Sequence, residues 1–543
     1  MDMNEIKLFR SKFRRYIKEF RFTRKLNFRQ LILFTGLTAV YIVWREIKLL
    51  QNENLIQMQD NGQYKLQRHK MGRPGNKTKP NILLIVADDL GYNDVGYHGS
   101  EIKTPYIDSL ALSGIRLENY YVQPICTPTR GQLLTGRYQI YTGLNWVLRP
   151  ATPSGLSLDS PTIAEKLKDA GYTTHMVGKW HVGFFKPEYL PTRRGFDSFF
   201  GFLTGHSDYY THITNQFGRN FMSGYDLLEN DQHANMTKYS GLYSTTLFAD
   251  KVKTIVRQHD VNKPWFIYLS FQAVHSPLQV PEAYMKMNDH IKDSRRRRFA
   301  GMVSCMDEAI GGIEEALKQH GEWENTLLIF TTDNGANPKA GGSNWPLRGN
   351  KGSVWEGGIR AVGFVNSMLL SRERRGSVSN ELIHVTDWYP TLINVAEGNL
   401  KCTQNLDGHD QWKTIRYGIQ STRQEVLHGI ETVSRYSNRA VFESIFNTSR
   451  TASLRVGIWK ILTGMQGSRS RRNESSFLAN VRLFDIKNDP RECHDIAPRF
   501  PYIVTNMLQR LERYQRRMVS CYNPEIDQLA DPKYHNGFWQ PWQ

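Results

Sequence analysis

Two pairs of hard oxygen donors, Asp88-Asp89 and Asp333-Asn334, each follow directly on an apolar run, Asn81–Ala87 (NILLIVA) and Thr326–Thr332 (TLLIFTT). Carboxylate and amide oxygens, with no sulfur or imidazole in the pairs, suit Ca2+ or Mg2+ rather than zinc. Adjacent acids are common in turns, but turn acids have no reason to close buried strands twice. A second cluster is Cys126-Thr127-Pro128-Thr129-Arg130, followed by GQLLTGR. Pro128 suits the first turn of a helix, which would set Cys126 at the positive end and Arg130 one turn on. A thiolate there would be an activated nucleophile, yet cysteine enzymes have no use for four hard-metal donors. The third cluster closes GYTTHMVGKWH: Lys179 and His181 alternate on a strand end, so both can point to one side. His275 follows another apolar run, and Lys351 in RGNKG adds a cation. His206 and His409 lack comparable context and read as surface or packing residues. Arg295–Arg298 reads as a solvated helix face.

The elements that must position these groups are legible in the same stretches. Asn81–Ala87, Phe266–Phe271 and Thr326–Thr332 are continuous apolar runs of strand length, as expected for strands covered on both faces. A helix-like segment, Thr162–Ala170, stops at Gly171 and leads to a short strand, Thr174–Val177. Buried strands alternating with amphipathic helices predict an α/β domain with a large, mostly parallel sheet flanked by helices. Asp88-Asp89, Lys179/His181, His275 and Asp333-Asn334 would then meet at the carboxyl edge of that sheet, where ligands bind in such folds. After about residue 415 the texture changes. Ser453–Leu462 and Arg482–Ile486 read as antiparallel strands and Ile503–Met518 as an amphipathic helix. The expected organisation is a basic segment 1–30, a signal anchor or signal peptide 31–50, a linker 51–79, a catalytic domain 80–415, and a smaller C-terminal α+β domain 416–543 containing an antiparallel sheet.

The chain of 543 residues carries a formal net charge of +18, of which residues 1–30 supply +7. The positive remainder suits an anionic substrate, sulfated polysaccharide or nucleic acid alike. No nucleic-acid-binding module is recognisable, and no nucleic acid is expected as a partner. The apolar run Leu31–Trp44 behind that basic lead has no small-x-small cleavage site before Arg45. It favours a signal anchor over a cleaved signal, with the basic end cytoplasmic. Sequons at Asn76, Asn235, Asn447 and Asn473 agree with entry into the secretory pathway. Apart from Cys126, the cysteines Cys305, Cys402, Cys493 and Cys521 form an even set allowing up to two disulfides, with Cys305 equally readable as a buried thiol.

CTPTR with LTGR, GYTTHMVGKWH, TTDNG, GGSNWPLRGNKGSVWEGGIR and the C-terminal DPKYHNGFWQPW together resemble type I sulfatases of the alkaline-phosphatase-like superfamily. The similarity is greatest to the animal arylsulfatase B, or N-acetylgalactosamine-4-sulfatase, group and covers roughly residues 80–543. The resemblance implies that Asp88, Asp89, Asp333, Asn334 and the modified Cys126 bind Ca2+. It implies that a formylglycine-generating enzyme oxidises Cys126 to formylglycine, whose hydrated aldehyde attacks sulfur with Asp333 as base. Lys179, Lys351 and His275 would hold the sulfate, with His275 protonating the leaving sugar oxygen. Arg130 and His181 would orient the diol, and His181 would take its second proton. This chain departs from the family in three places: Thr129 stands where Ser or Cys is usual, cysteines are sparser, and the N-terminal lead is longer than a lysosomal signal.

These readings predict a sulfuric ester hydrolase acting on N-acetylgalactosamine 4-sulfate in dermatan or chondroitin sulfate, located in the lysosome, in an ER or Golgi membrane, or outside the cell. A phosphatase or phosphodiesterase of the same superfamily would need Ser or Thr as nucleophile and commonly two metals. A silent glycan-binding relative would be marked by loss of Cys126 or of a metal acid, and neither is lost here.

Overall fold

The computed structural model describes residues 79–218, 221–401, 403–431, 446–464, 480–519 and 524–543. The N-terminal segment, the anchor run and nearly all of the linker therefore lie outside the described residues, as do Asn76, Asn473, Cys402 and Cys521. Among the described residues no helix is long and apolar enough to cross a membrane.

The centre is a ten-stranded sheet. Its strands in chain order are β1 (Asn81–Ala87), β2 (Ile115–Leu117), β3 (Thr173–Lys179), β4 (Ser198–Phe202), β5 (Leu228–Glu229), β6 (Gln232–His233), β7 (Trp265–Ser270), β8 (Thr326–Thr332), β9 (Gly363–Asn366) and β10 (Ser377–Ser379). They lie in the order β10-β2-β9-β8-β1-β7-β3-β4-β5-β6. The five central strands, β8 to β4, are parallel, and antiparallel pairs flank them. Strand β1 is fully buried, and its side chains alternate between two separate cores. Ile82, Leu84 and Val86 enter one core; Leu83, Ile85 and Ala87 enter the other. Both faces are thus covered, which is why the run shows no polar alternation. The first core is closed by α2 (Cys126–Thr135), α3 (Ile163–Asp169) and α6 (Trp388–Val395), the second by α1 (Pro105–Ser113), α4 (Ser244–Gln258) and α5 (Ser294–Gln319).

Helix α3 begins where its sequence says it should. Thr162 caps the Glu165 amide while the Glu165 carboxylate returns to the Thr162 amide, so two orphan donors are satisfied reciprocally. Helix α1 has no such local cap. Asp307, from α5, accepts the Ile107 amide at 2.7 Å and the Tyr106 amide at 3.3 Å. A distant helix does the capping, which local sequence cannot announce.

The second sheet is antiparallel, in the order β11 (Glu425–Ile430), β12 (Ala452–Val456), β13 (Trp459–Thr463) and β14 (Val481–Asp485). Helix α7 (Pro501–Arg516) packs on it through Val504, Met507, Leu508 and Leu511. The expected strand over Ser453–Leu462 is two strands. Gly457, at φ +55°, turns the chain back so that Val456 faces Trp459. The span 416–543 is also not a single packing unit, because its last stretch returns to the large sheet. Ala530 and the fully buried Trp539 join the first core, and the Trp539 indole donates to the Thr214 carbonyl at 3.1 Å. The Arg295–Arg298 face is only partly solvated. Arg296 is tucked against Asp94 and lies 3.1 Å from Glu101, because the helix start packs over the loop after β1.

Burial pushes the Asp307 carboxyl up to about 7, against the two amides it accepts. A carboxyl raised on folding contributes stability that is complete below its ordinary value and is lost as pH rises through the folded value. Asp307→Asn keeps an acceptor and removes the titration. Its thermal midpoint should therefore gain on the wild type as pH rises from 4 to 7.5; parallel midpoints across that range would disprove the assignment.

Candidate active site

The carboxyl ends of four neighbouring parallel strands deliver the site. Asp88 and Asp89 leave β1, Asp333 and Asn334 leave β8, His275 stands five residues beyond β7, and Lys179 ends β3. Lys179 can occupy this spot because residue 178 is glycine. A Cβ there would lie 1.9 Å from the Ser270 carbonyl oxygen of the adjoining strand. Asp89 adopts a left-handed backbone, φ +59°, which turns its carboxylate back over the strand ends.

The four hard donors expected at the metal meet one another. The Asp89 amide donates to Asp333 Oδ1 at 3.3 Å, and Asn334 Nδ2 donates to Asp89 Oδ1 at 2.7 Å. Ligand atoms of Asp88, Asp89 and His275 lie within 4.8 Å of one another. Three cations balance the three carboxylates. Lys179 Nζ is 2.6 Å from Asp88, Lys351 Nζ is 2.6 Å from Asp89, and the Arg130 guanidinium grips Asp333 Oδ2 through Nε (3.2 Å) and Nη2 (2.7 Å). Burial alone would raise both Asp88 and Asp89. Lys179 holds the first carboxyl below its ordinary value, and His275 with Lys351 does the same for the second. Two oxygens in this cluster, Asp88 Oδ1 and Asn334 Oδ1, are buried without a hydrogen-bond partner among the described residues. Orphaned hard oxygens beside ionised acids are what a hard divalent cation would complete. The residues present therefore fit Ca2+.

Cys126 is the first residue of α2, as its spacing to Pro128 predicts, and is almost fully buried. Burial pushes its thiol above the ordinary value despite Lys179 and Lys351. Desolvation outweighs the nearby ammonium groups, so the helix start does not activate the thiol, which speaks further against a plain cysteine nucleophile. Thr129 uses its hydroxyl locally: it accepts the Gln123 amide at 3.0 Å and donates to the Asp333 carbonyl. Arg130 is spent on Asp333, Ser270 and the Lys179 carbonyl rather than left open toward an anion.

His181 does not alternate with Lys179 along a strand, because β3 has ended and His181 adopts φ +57°. The chain turns there. Its imidazole Nε2 meets the Leu148 carbonyl at 3.0 Å, Nδ1 has no partner among the described residues, and burial depresses its pKa strongly. His275 Nδ1 is 2.6 Å from the Ser276 carbonyl, and Nε2 is 3.8 Å from Asp89. His206 was read as a surface or packing residue, yet its ring stacks on His275 with centroids 5.6 Å apart. No sequence signal marked it, because the loop that carries it has neither an apolar run nor a spacing to a known group. His409 remains a packing residue, bound to Asp387 and Thr422.

Lys351 is placed from outside the large sheet. Its loop ends at Glu356, whose carboxylate meets Lys460 of β13 at 2.9 Å; Lys460 also meets Glu492 at 2.8 Å. All three are fully buried, and Glu492 accepts the Glu356 amide at 2.7 Å. Val354 and Trp355 pack on Leu462 and Phe484 beside this network. Among the described residues Cys126, Cys305 and Cys493 are free thiols, with Cys305 buried in α5, so no bridge forms there.

A charge-balanced cluster of this kind, at the carboxyl edge of a doubly covered α/β sheet, suits a hard cation together with an anionic ligand. Residues 80–398 match the sulfatase family model. Arylsulfatase J of Mus musculus is 45% identical over 93% of this chain and 86% of its own length. Human N-acetylgalactosamine-6-sulfatase is 30% identical over 64% of this chain and 68% of its own. The crystal structure of Ps i-CgsB in complex with k-i-k-neocarrahexaose superposes with a TM-score of 0.70 and 30% identity, covering 82% of this chain and 95% of that one. This chain belongs to the sulfatase family, and it is an enzyme of the arylsulfatase kind.

Lys460→Met would leave Glu356 and Glu492 buried without their ammonium, a loss of about 3–5 kcal/mol for a broken buried pair. A lowered denaturant midpoint, partly recovered in Lys460→Met/Glu356→Gln/Glu492→Gln, is the expected result. An unchanged midpoint would show that the network holds nothing.

Proposed function

We propose that this chain hydrolyses N-acetylgalactosamine 4-sulfate units of dermatan or chondroitin sulfate, with formylglycine at position 126 and Ca2+ in the acid cluster. The observation that carries the chemistry is Cys126 at the helix start, its thiol raised and buried among three ammonium or guanidinium groups and three carboxylates. Such a thiol is a poor nucleophile as it stands. Converted to formylglycine, the position supplies a hydrated aldehyde, and Ca2+ held by Asp88, Asp89, Asp333 and Asn334 supplies positive charge for the ester oxygens.

The chain's own residues do the rest. The buried charges already balance, so the charge a divalent cation brings would be offset by that of an anion bound beside it, which suits a sulfate monoester. Lys179 and Lys351 can exchange part of their contact with Asp88 and Asp89 for sulfate oxygens. Arg130 holds Asp333 in place as base, His275 donates to the leaving sugar oxygen, and His181 holds the proton of the second hydroxyl. Cys126 is closed off in the folded protein, so the formylglycine-generating enzyme must act before folding ends.

The arylsulfatase B-like motifs support the 4-sulfated sugar, and the positive net charge supports a polyanionic chain as substrate. The basic lead with its apolar run supports a secretory route ending in the lysosome, an anchored ER or Golgi position, or the exterior. Asn235, which caps the short helix Met236–Tyr239, and Asn447, which precedes a turn, are both exposed, as glycan acceptors must be.

Peptide mass spectrometry on protein from a eukaryotic secretory host should give a mass about 18 Da below cysteine at position 126, and Cys126→Ala should lower sulfatase kcat by at least about 1000-fold. Unmodified cysteine, in a host that converts a control sulfatase, would end this reading. The metal has a readout independent of turnover. Saturating Ca2+ should raise the thermal midpoint of the wild type, by about 2.7 kcal/mol of stabilisation at a hundredfold over Kd, and should not raise that of Asp89→Asn. Equal midpoints in Ca2+ and in chelator would rule the ion out.

A further inference from the structure

His206 is held too deliberately for a packing residue. It lies in the loop after β4, half-buried, and its backbone carbonyl accepts the Thr204 hydroxyl at 3.1 Å and the Thr214 hydroxyl at 2.8 Å. Asp226, fully buried, fastens the start of the same loop by accepting the Leu203 amide at 2.8 Å and the Thr204 amide at 3.1 Å. The other side is laced to the His275 segment. Gln272 donates to the Ser207 carbonyl, and the Tyr209 hydroxyl lies 2.8 Å from the His275 carbonyl. Residue 205 must be glycine, because a Cβ there would meet the His181 ring at 2.9 Å. The loop therefore passes against His181 and sets the His206 ring over His275, with centroids 5.6 Å apart and planes inclined by 21°.

What this clamping presents is an imidazole with unused polar atoms. Among the described residues neither ring nitrogen of His206 has a hydrogen-bond partner, although the backbone around it is bonded on both sides. A half-buried ring fixed at a site with both nitrogens free is available to a ligand. Lys179 and Lys351 already stand on the acid cluster where an anion would be held. His275 lies 3.8 Å from Asp89 of that cluster and carries His206 on its ring, so with His275 as the proposed donor to the leaving oxygen, His206 stands beside the alcohol part of the ester. An imidazole can donate from one nitrogen and accept at the other, which matches a sugar hydroxyl.

Resting on the sulfatase reading above, we propose that His206 is a substrate-contacting residue that hydrogen-bonds a hydroxyl of the sugar bearing the sulfate, and so selects sugar esters over simple aryl esters. A site built to bond a hydroxyl discriminates against a ligand without one.

The test compares kcat/KM for p-nitrophenyl sulfate with kcat/KM for 4-sulfated N-acetylgalactosamine, using full-length wild type, His206→Ala and His206→Gln. The sugar-to-aryl ratio should fall by at least about tenfold in His206→Ala, chiefly through KM, and recover in part in His206→Gln, whose amide can donate and accept. An unchanged ratio would overturn the proposal, whether both esters slow equally, as for a residue that only supports His275, or neither slows. The His206→Gln variant guards against a folding artefact, since it keeps the size and polarity of the site. A wild-type enzyme that carries formylglycine yet cleaves neither ester would overturn the sulfatase reading itself. Normal wild-type turnover with an unchanged ratio would remove only the role given to His206.

Discussion

Everything in this structure depends on pairing three carboxylates with cations in a place that water barely reaches. Asp88 and Asp333 are fully buried, and Asp89 is nearly so. Burial would ordinarily protonate such groups. Lys179 opposes this at Asp88, and His275 with Lys351 at Asp89, while Arg130 pairs with Asp333 from a third element. The result is a site of no net formal charge whose members can all exchange partners. Such an arrangement is costly in isolation and is retained where the charges have work to do.

That requirement explains the architecture around it. Parallel strands covered on both faces can place acids, a lysine and a histidine at one edge because each strand ends there and the next crossover starts elsewhere. The edge does not provide every group. Lys351 comes on a loop fastened from the second sheet by Lys460, Glu356 and Glu492. The antiparallel sheet is therefore a support for the site as well as a neighbouring unit. The C-terminal stretch makes a comparable return through Trp539, which joins the first core and bonds the Thr214 carbonyl.

Several particular residues were legible in advance. Asp88, Asp89, Asp333 and Asn334 stood out because each pair closes an apolar run that later formed a fully buried strand. Cys126 at the start of a helix followed from Pro128. Other features were hidden for definable reasons. His181 was expected on an extended strand end, but its left-handed backbone turns it against Leu148. His206 gave no signal, since its position depends on Asp226, Thr214 and Gln272 from three separate segments. The helix cap that Asp307 provides, and the hairpin turn at Gly457, likewise rest on contacts or dihedrals that single-residue propensity does not encode.

The order of apolar runs and the residue types that end them are properties of the chain alone. By themselves they determined the sheet, the edge at which the acids, a lysine and a histidine gather, and the place of Cys126 at a helix start. Strand and helix periodicity act over a few residues, so they survive in the linear text. Which cation faces which carboxylate, the raised thiol of Cys126, the stack of His206 on His275 and the clamp on Lys351 were decided only by the tertiary structure. Those are matters of a few ångströms between segments far apart in the chain, 91 residues for Lys179 and Asp88, and of how much water is excluded between them. Electrostatics at that range follows distance and burial, and neither quantity exists until the chain has folded.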